Sequence, residues 1–140
     1  MTNTILIIEN SPVLMEINRE AFTRQGYRVI EAETISQGRA LFKREQPDLI
    51  VMETKLPDGS GLCFCRELRN HSKIPILFVS IQGTPQDEIA GFSAGCSDYV
   101  AKPYSINVLI ARVGGLLRFE QRITGSLSKN RITHKKEMQG

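Results

Sequence analysis

At 140 residues the chain suffices for one compact domain with a real core and falls short of two ordinary ones. Its 41% hydrophobic and 24% charged content is that of a globular protein and argues against a wholly disordered chain. The apolar runs are strand-sized and no charged segment leads into an apolar one at the N-terminus, so neither a membrane span nor a signal peptide is expected and the cytoplasm is the default location.

The net charge of +3 is unevenly spread. From Arg118 onward six basic side chains face two acidic ones, whereas the rest of the chain holds 12 basic and 13 acidic. A basic segment invites nucleic acid, but this one has scattered charges and no aromatic after Phe119, which favours a solvated linker. The three cysteines, Cys63, Cys65 and Cys96, suggest neither a disulfide framework nor a metal set and read as buried small hydrophobes. His71 and His134 lack metal-ligand spacing and read as surface residues.

In chain order, Thr4 to Ile8 forms a first buried strand, stopped by Glu9-Asn10-Ser11-Pro12. Ser11 caps a helix whose first turn takes Pro12 and which Gly26 closes. Tyr27 to Ala32 alternates weakly, as an edge strand does. A second helix spans Ile35 to Glu45 and ends before Pro47. Asp48 to Met52 is a strand with no wet face, terminated by Glu53 and a turn rich in Gly and Pro. A short third helix runs from Leu62 through about Asn70, a fourth strand from Pro75 to Val79, and a fourth helix from Gln86 to Ala94. Gly91 should make that helix the least stable of the set. Asp98 to Ala101 is the fifth strand. Ile106, Leu109, Ile110, Val113, Leu116 and Leu117 then place a clear apolar stripe on a fifth helix, whose continuation Gly125, Ser126 and Ser128 weaken. The expected division is therefore a domain over residues 1–119 and an unstructured basic tail or linker over 120–140.

Strands alternating with helices at short spacing imply an α/β fold: a doubly wound, five-stranded parallel sheet, flavodoxin-like, with five helices and strand order 2-1-3-4-5. That order brings four polar strand ends to one rim: Glu9 with Asn10, then Glu53, Ser80 and Lys102. Exposed strand ends are often polar. Even so, two carboxylates, an amide, a hydroxyl and an ammonium in one shallow site have the chemistry to hold a divalent cation and an anionic group.

Four segments carry a family resemblance: Ile5 to Pro12; Pro47 to Glu53 with Leu56 to Gly61; Pro75 to Ser80; and Ala94 to Pro103. From about Thr4 to Leu117 the chain resembles the receiver domain of bacterial two-component response regulators. The resemblance implies a phosphorelay role in which an acidic pair after the first strand holds Mg²⁺ and an Asp after the third accepts a phosphoryl group from a histidine kinase. It also implies that Ser80 and Lys102 bind phosphoryl oxygens, that Tyr99 is the switch aromatic, and that the Lys102–Pro103 bond is cis. Partners, either a histidine kinase or an output domain, are implied at the face made by the fourth helix, fifth strand and fifth helix, including Tyr99, Ser105 and Ile106. A homodimer is compatible with that face, no membrane is implied, and nucleic acid is not expected for this segment.

Two positions depart from the pattern: Asn10 stands where the second acid is expected and Glu53 where the phosphoacceptor Asp is expected. Glu is one methylene longer, displacing its carboxylate by about 1.5 Å, when misplacements of about 1 Å can cost roughly 10²-fold. Asn10 removes a ligand charge, so the metal set of Glu9, Asn10 and Glu53 should bind Mg²⁺ weakly or not at all. Lys55 is expected to pair with Glu53 or Glu9, and Ile81 to fill or shield the site. The reading is a degenerate receiver, not an enzyme, in which Glu53 reaches Lys102 or Lys55 and holds the switch in one state. The alternative is an active phosphoacceptor using Glu53 with Mg²⁺.

Overall fold

The computed structural model describes the backbone of residues 2–139 and the side chains through residue 123. The elements run β1 (Thr4–Ile8), α1 (Pro12–Arg24), β2 (Arg28–Ala32), α2 (Ile35–Glu45), β3 (Leu49–Met52), β4 (Lys55–Leu56), β5 (Gly59–Ser60), α3 (Gly61–Arg69), β6 (Ile76–Ser80), α4 (Pro85–Ala94), β7 (Asp98–Ala101) and α5 (Ile106–Gln139). Five strands form one parallel sheet in the order β2-β1-β3-β6-β7, the arrangement expected from the sequence. β4 and β5 make a separate antiparallel hairpin that the sequence reading did not anticipate, since two-residue strands carry no periodicity.

The sheet's two faces sort the side chains by alternation. Ile5, Ile7, Leu49, Val51, Leu77 and Val79 pack with Met15 and Phe22 of α1 and Leu109, Val113 and Leu117 of α5. Their neighbours Leu6, Ile8, Ile50, Met52, Ile76 and Phe78 pack with Ile35 of α2, Phe64 and Leu68 of α3, and Ala94 of α4. A strand buried on both faces has no polar position, which is why β1, β3 and β6 are nearly continuous apolar runs. β2, paired only with β1, keeps exposed residues and lies at the edge.

Local chemistry fixes the helix starts. The Ser11 side chain accepts a hydrogen bond from Leu14 N, with Pro12 in the first turn of α1. α2 is capped twice: Thr34 accepts from Gln37 N, and the Asp58 carboxylate, reaching over from the hairpin, accepts from Ile35 N at 2.8 Å and Ser36 N at 3.0 Å. Those two hydrogen bonds hold the Asp58 pKa below the ordinary aspartate value. α4 begins at Pro85, a residue earlier than expected, because Thr84 and Asp87 form a reciprocal capping box.

Gly91, expected only to weaken α4, has a packing reason. A Cβ there would lie 2.6 Å from Cδ2 of Tyr99. α5 also departs from expectation, running to Gln139 through Gly125, Ser126 and Ser128. Glycine lowers helix propensity by about 1 kcal/mol without forbidding the helix, and the segment contains no proline. His134 lies outside the residues whose side chains are described. Cys63 is exposed, contrary to expectation, because it sits on the outer face of α3; Cys65 and Cys96 are buried, and burial pushes the Cys96 thiol up to about 12.

Candidate functional site

Sheet pairing continues one residue past the strands and sets the rim. Glu53 N donates to Ile8 O at 3.0 Å and Lys102 N to Ser80 O at 2.7 Å, so the strand ends sit in register. The Lys102–Pro103 bond is cis. Lys102 Nζ lies 2.8 Å from Glu9 Oε1 and 2.8 Å from Glu53 Oε1. Both carboxylates are almost completely buried. The outer oxygens are also used: Glu9 Oε2 accepts from Ser11 N at 3.0 Å, and Glu53 Oε2 from Thr54 N at 2.5 Å and Thr54 Oγ1 at 3.1 Å. Burial pulls the Lys102 pKa down, but the hydrogen bonds and charges of Glu53 and Glu9 outweigh it and leave the ammonium above its ordinary value.

A second line of polar groups leaves this cluster. Thr54 Oγ1 and Ser80 Oγ are 2.5 Å apart, and Ser80 Oγ accepts from Gln82 N at 3.0 Å. The Gln82 carbonyl accepts from the Tyr99 hydroxyl. The Tyr99 ring is 6% exposed and packs at 6.0 Å from the Phe78 ring. Burial raises the Tyr99 phenol above its ordinary pKa, against a smaller opposing effect of the Ser80 hydroxyl. On the other side of Lys102 lies an apolar groove of about 360 Å³, lined by Leu14, Ile17, Ile81, Pro103, Tyr104 and Ile106. Tyr104 is fixed by donating to Asn18 Oδ1 at 2.9 Å.

The structure thus brings Glu9, Glu53, Ser80, Lys102 and Tyr99 into one connected site, and Glu53 reaches Lys102. Other expectations fail for identifiable reasons. Lys55 is exposed and, among the described residues, enters no ion pair; alternation in β4 turns it outward and Leu56 inward. Ile81 follows the buried Ser80, points outward at 66% exposure and walls the groove instead of filling the rim. Asn10 is exposed, and Tyr99 is internal, so it contributes little to an outer face. Thr54 and Gln82 were missed, since a residue just after a strand end reads as loop. That Thr54 is buried beside a buried carboxylate is a tertiary fact without a sequence signature.

Magnesium, implied by the resemblance, would take carboxylate oxygens. Here the inner oxygens of Glu9 and Glu53 face an ammonium, the outer ones accept backbone N–H groups, and Asn10 brings no charge. The donor set does not fit a divalent cation in this arrangement.

A doubly wound five-stranded parallel sheet with acidic, hydroxyl and lysine side chains gathered at its rim defines a receiver-type signalling domain. Residues 5–114 match the response regulator receiver domain family, and the chain belongs to it. It is 40% identical over 118 residues to the KDP operon transcriptional regulatory protein KdpE of Escherichia coli K12, covering 84% of this chain and 52% of that one. Identity with the DNA-binding dual master transcriptional regulator RpaA of Synechocystis is 35% over 131 residues, covering 91% and 54%. Among solved structures, the BeF3-activated receiver domain of Klebsiella pneumoniae RstA superposes with a TM-score of 0.80 at 27% identity, covering 83% of this chain and 99% of that one. A two-component response regulator from Clostridium difficile gives 0.81 at 26%, covering 84% and 97%. The chain spans about half the length of the curated relatives it matches. Receiver domains of response regulators are signalling modules that interact with histidine kinases and output domains. Among the described residues, no helix is long and apolar enough to cross a membrane.

Proposed function

We propose that this receiver domain signals through protein contacts without phosphoryl transfer, with Glu53 standing in the phosphoacceptor position as a fixed charge. The observation that carries this reading is the Lys102 ammonium held at 2.8 Å from both Glu9 and Glu53. A nucleophile must present a free oxygen in line with the phosphorus, beside a metal that neutralises developing charge. Glu53 offers neither, because one oxygen is ion-paired and the other accepts from Thr54. Ser80, whose counterpart in the resemblance binds phosphoryl oxygen, is instead engaged by Thr54 and Gln82. A carboxylate carries less charge and fewer acceptor oxygens than a phosphoryl group, so any imitation of the phosphorylated state is partial.

Partner binding falls to the face formed by α4, β7 and α5, where Ile89, Phe92 and Val108 are exposed apolar residues. Residues 1–119 form the receiver unit in this reading, and 120–140 a basic tail or linker. The domain works in the cytoplasm, with a histidine kinase or an output domain as partner. Incubation with Mg²⁺ and acetyl phosphate, followed by intact mass measurement, tests the proposal. Unmodified protein is expected; a stable phosphoryl adduct mapped to Glu53 refutes it.

A further inference from the structure

We infer that Thr54 is a positioning residue that links the Glu53 carboxylate to the inward setting of Tyr99, replacing phosphorylation as the switch's latch. The inference rests on the reading of Glu53 as an unphosphorylated anchor and follows from counting protons. Each hydroxyl has one to donate. Gln82 N donates to Ser80 Oγ, and Ser80 Oγ lies 2.5 Å from Thr54 Oγ1, where either hydroxyl can donate. The Glu53 carboxylate, an anion 3.1 Å away at Oε2, draws the one Thr54 proton in preference to Gln82 Oε1 at 3.4 Å, which leaves Ser80 to donate to Thr54.

The chain therefore runs in one direction, from the Gln82 backbone through Ser80 and Thr54 to a charged terminus, and such chains polarise each of their members. Its far end fixes residue 82, whose carbonyl receives the Tyr99 hydroxyl. The Tyr99 ring in turn occupies the space left open over Gly91, which puts it in direct contact with α4. Glu53 is thus connected to α4 by hydrogen bonds and one ring contact, with Thr54 as the link that a hydrophobic residue of the same shape would break.

Nitration by tetranitromethane, read residue by residue by peptide mass spectrometry, reports ring exposure, with Tyr27 and Tyr104 as internal references. In full-length protein without phosphodonor or Mg²⁺, Thr54→Val, which keeps the shape and removes the hydroxyl, should accelerate nitration of Tyr99 about five- to tenfold and leave Tyr27 and Tyr104 unchanged. Thr54→Ser should restore the slow rate. Ser80→Ala, cutting the chain one link further on, should accelerate Tyr99 as well and keeps the test decisive if Thr54→Val does not fold. A Tyr99 rate equal to wild type in a folded Thr54→Val or Ser80→Ala protein overturns the inference, as does failure of Thr54→Ser to rescue. Because the assay contains no phosphodonor, a phosphoryl adduct on Glu53 would sink the preceding proposal without altering this result.

Discussion

Replacing Lys102 by methionine removes a cation held between two almost fully buried carboxylates while keeping most of the side-chain volume. The inner oxygens of Glu9 and Glu53 each lie 2.8 Å from the same nitrogen, so they are at most twice that distance apart and would face each other without a counter-ion. Deleting one member of a buried ion pair costs about 3–5 kcal/mol, because an uncompensated charge remains. For a domain of this size that corresponds to a Tm lower by roughly 10–15 °C. The loss should depend on pH in a defined direction. Two like charges in a desolvated site push one carboxyl pKa upward. The variant's native state then binds a proton that its unfolded state releases, and its stability falls as pH rises. Urea unfolding at pH 5 and pH 7 should show a Lys102→Met deficit that is larger at pH 7 and shrinks at pH 5; urea is preferable to guanidinium because it adds no screening ions. A deficit below about 1 kcal/mol at pH 7, or one independent of pH, would refute the buried triad as a structural element.

In the wild-type protein, the raised Lys102 pKa contributes stability that is whole below the ordinary lysine value of about 10.4 and disappears as pH rises through the higher folded value. Urea titrations across that range should show a decline that Lys102→Met lacks. Gly91→Ala should destabilise by about 1–3 kcal/mol through its clash with the Tyr99 ring, yet stabilise a Tyr99→Ala background, where only the glycine's helix penalty remains; thermal melts of the three variants decide it. Gly61→Ala places a Cβ 2.5 Å from the Glu53 backbone carbonyl, where no flexible side chain can yield, and should lower the yield of folded protein in expression and circular dichroism. Asp58→Asn should lower Tm at neutral pH. Because the Asp58 pKa is depressed, the wild type's advantage should be present above the ordinary aspartate range and vanish as pH falls through the folded value.

The parts legible in the sequence are those with a periodicity or a chemical stop. β1, β3 and β6 declare themselves because both their faces are covered, and β2 declares its edge position by alternating. Strand order then follows from handed crossovers, and the rim residues follow from strand order. What escaped has no local signal. Thr54 is polar, follows a strand end and precedes a lysine and a proline-containing turn, all marks of a solvated loop; in the fold it is buried and meets Ser80, 26 residues away. Ile81 failed in the opposite sense, being hydrophobic at a position where the chain turns outward. The Thr84–Asp87 box that starts α4 was readable from the spacing of a threonine and an acid around Pro85, and its neglect moved that boundary by one residue.

The rim cluster also has an electrostatic arithmetic of its own. Two carboxylates share one ammonium, which leaves a surplus of one negative charge just beneath the surface. Small acyl phosphates are anions, and like charges at about 4 Å repel by about 1 kcal/mol per pair even in water, more beside a low-dielectric wall. On the reading proposed above, that repulsion would disfavour an anionic donor already at encounter, before any bond is made. The same reading makes the domain's state depend on the concentration of its binding partners rather than on that of phosphoryl donors.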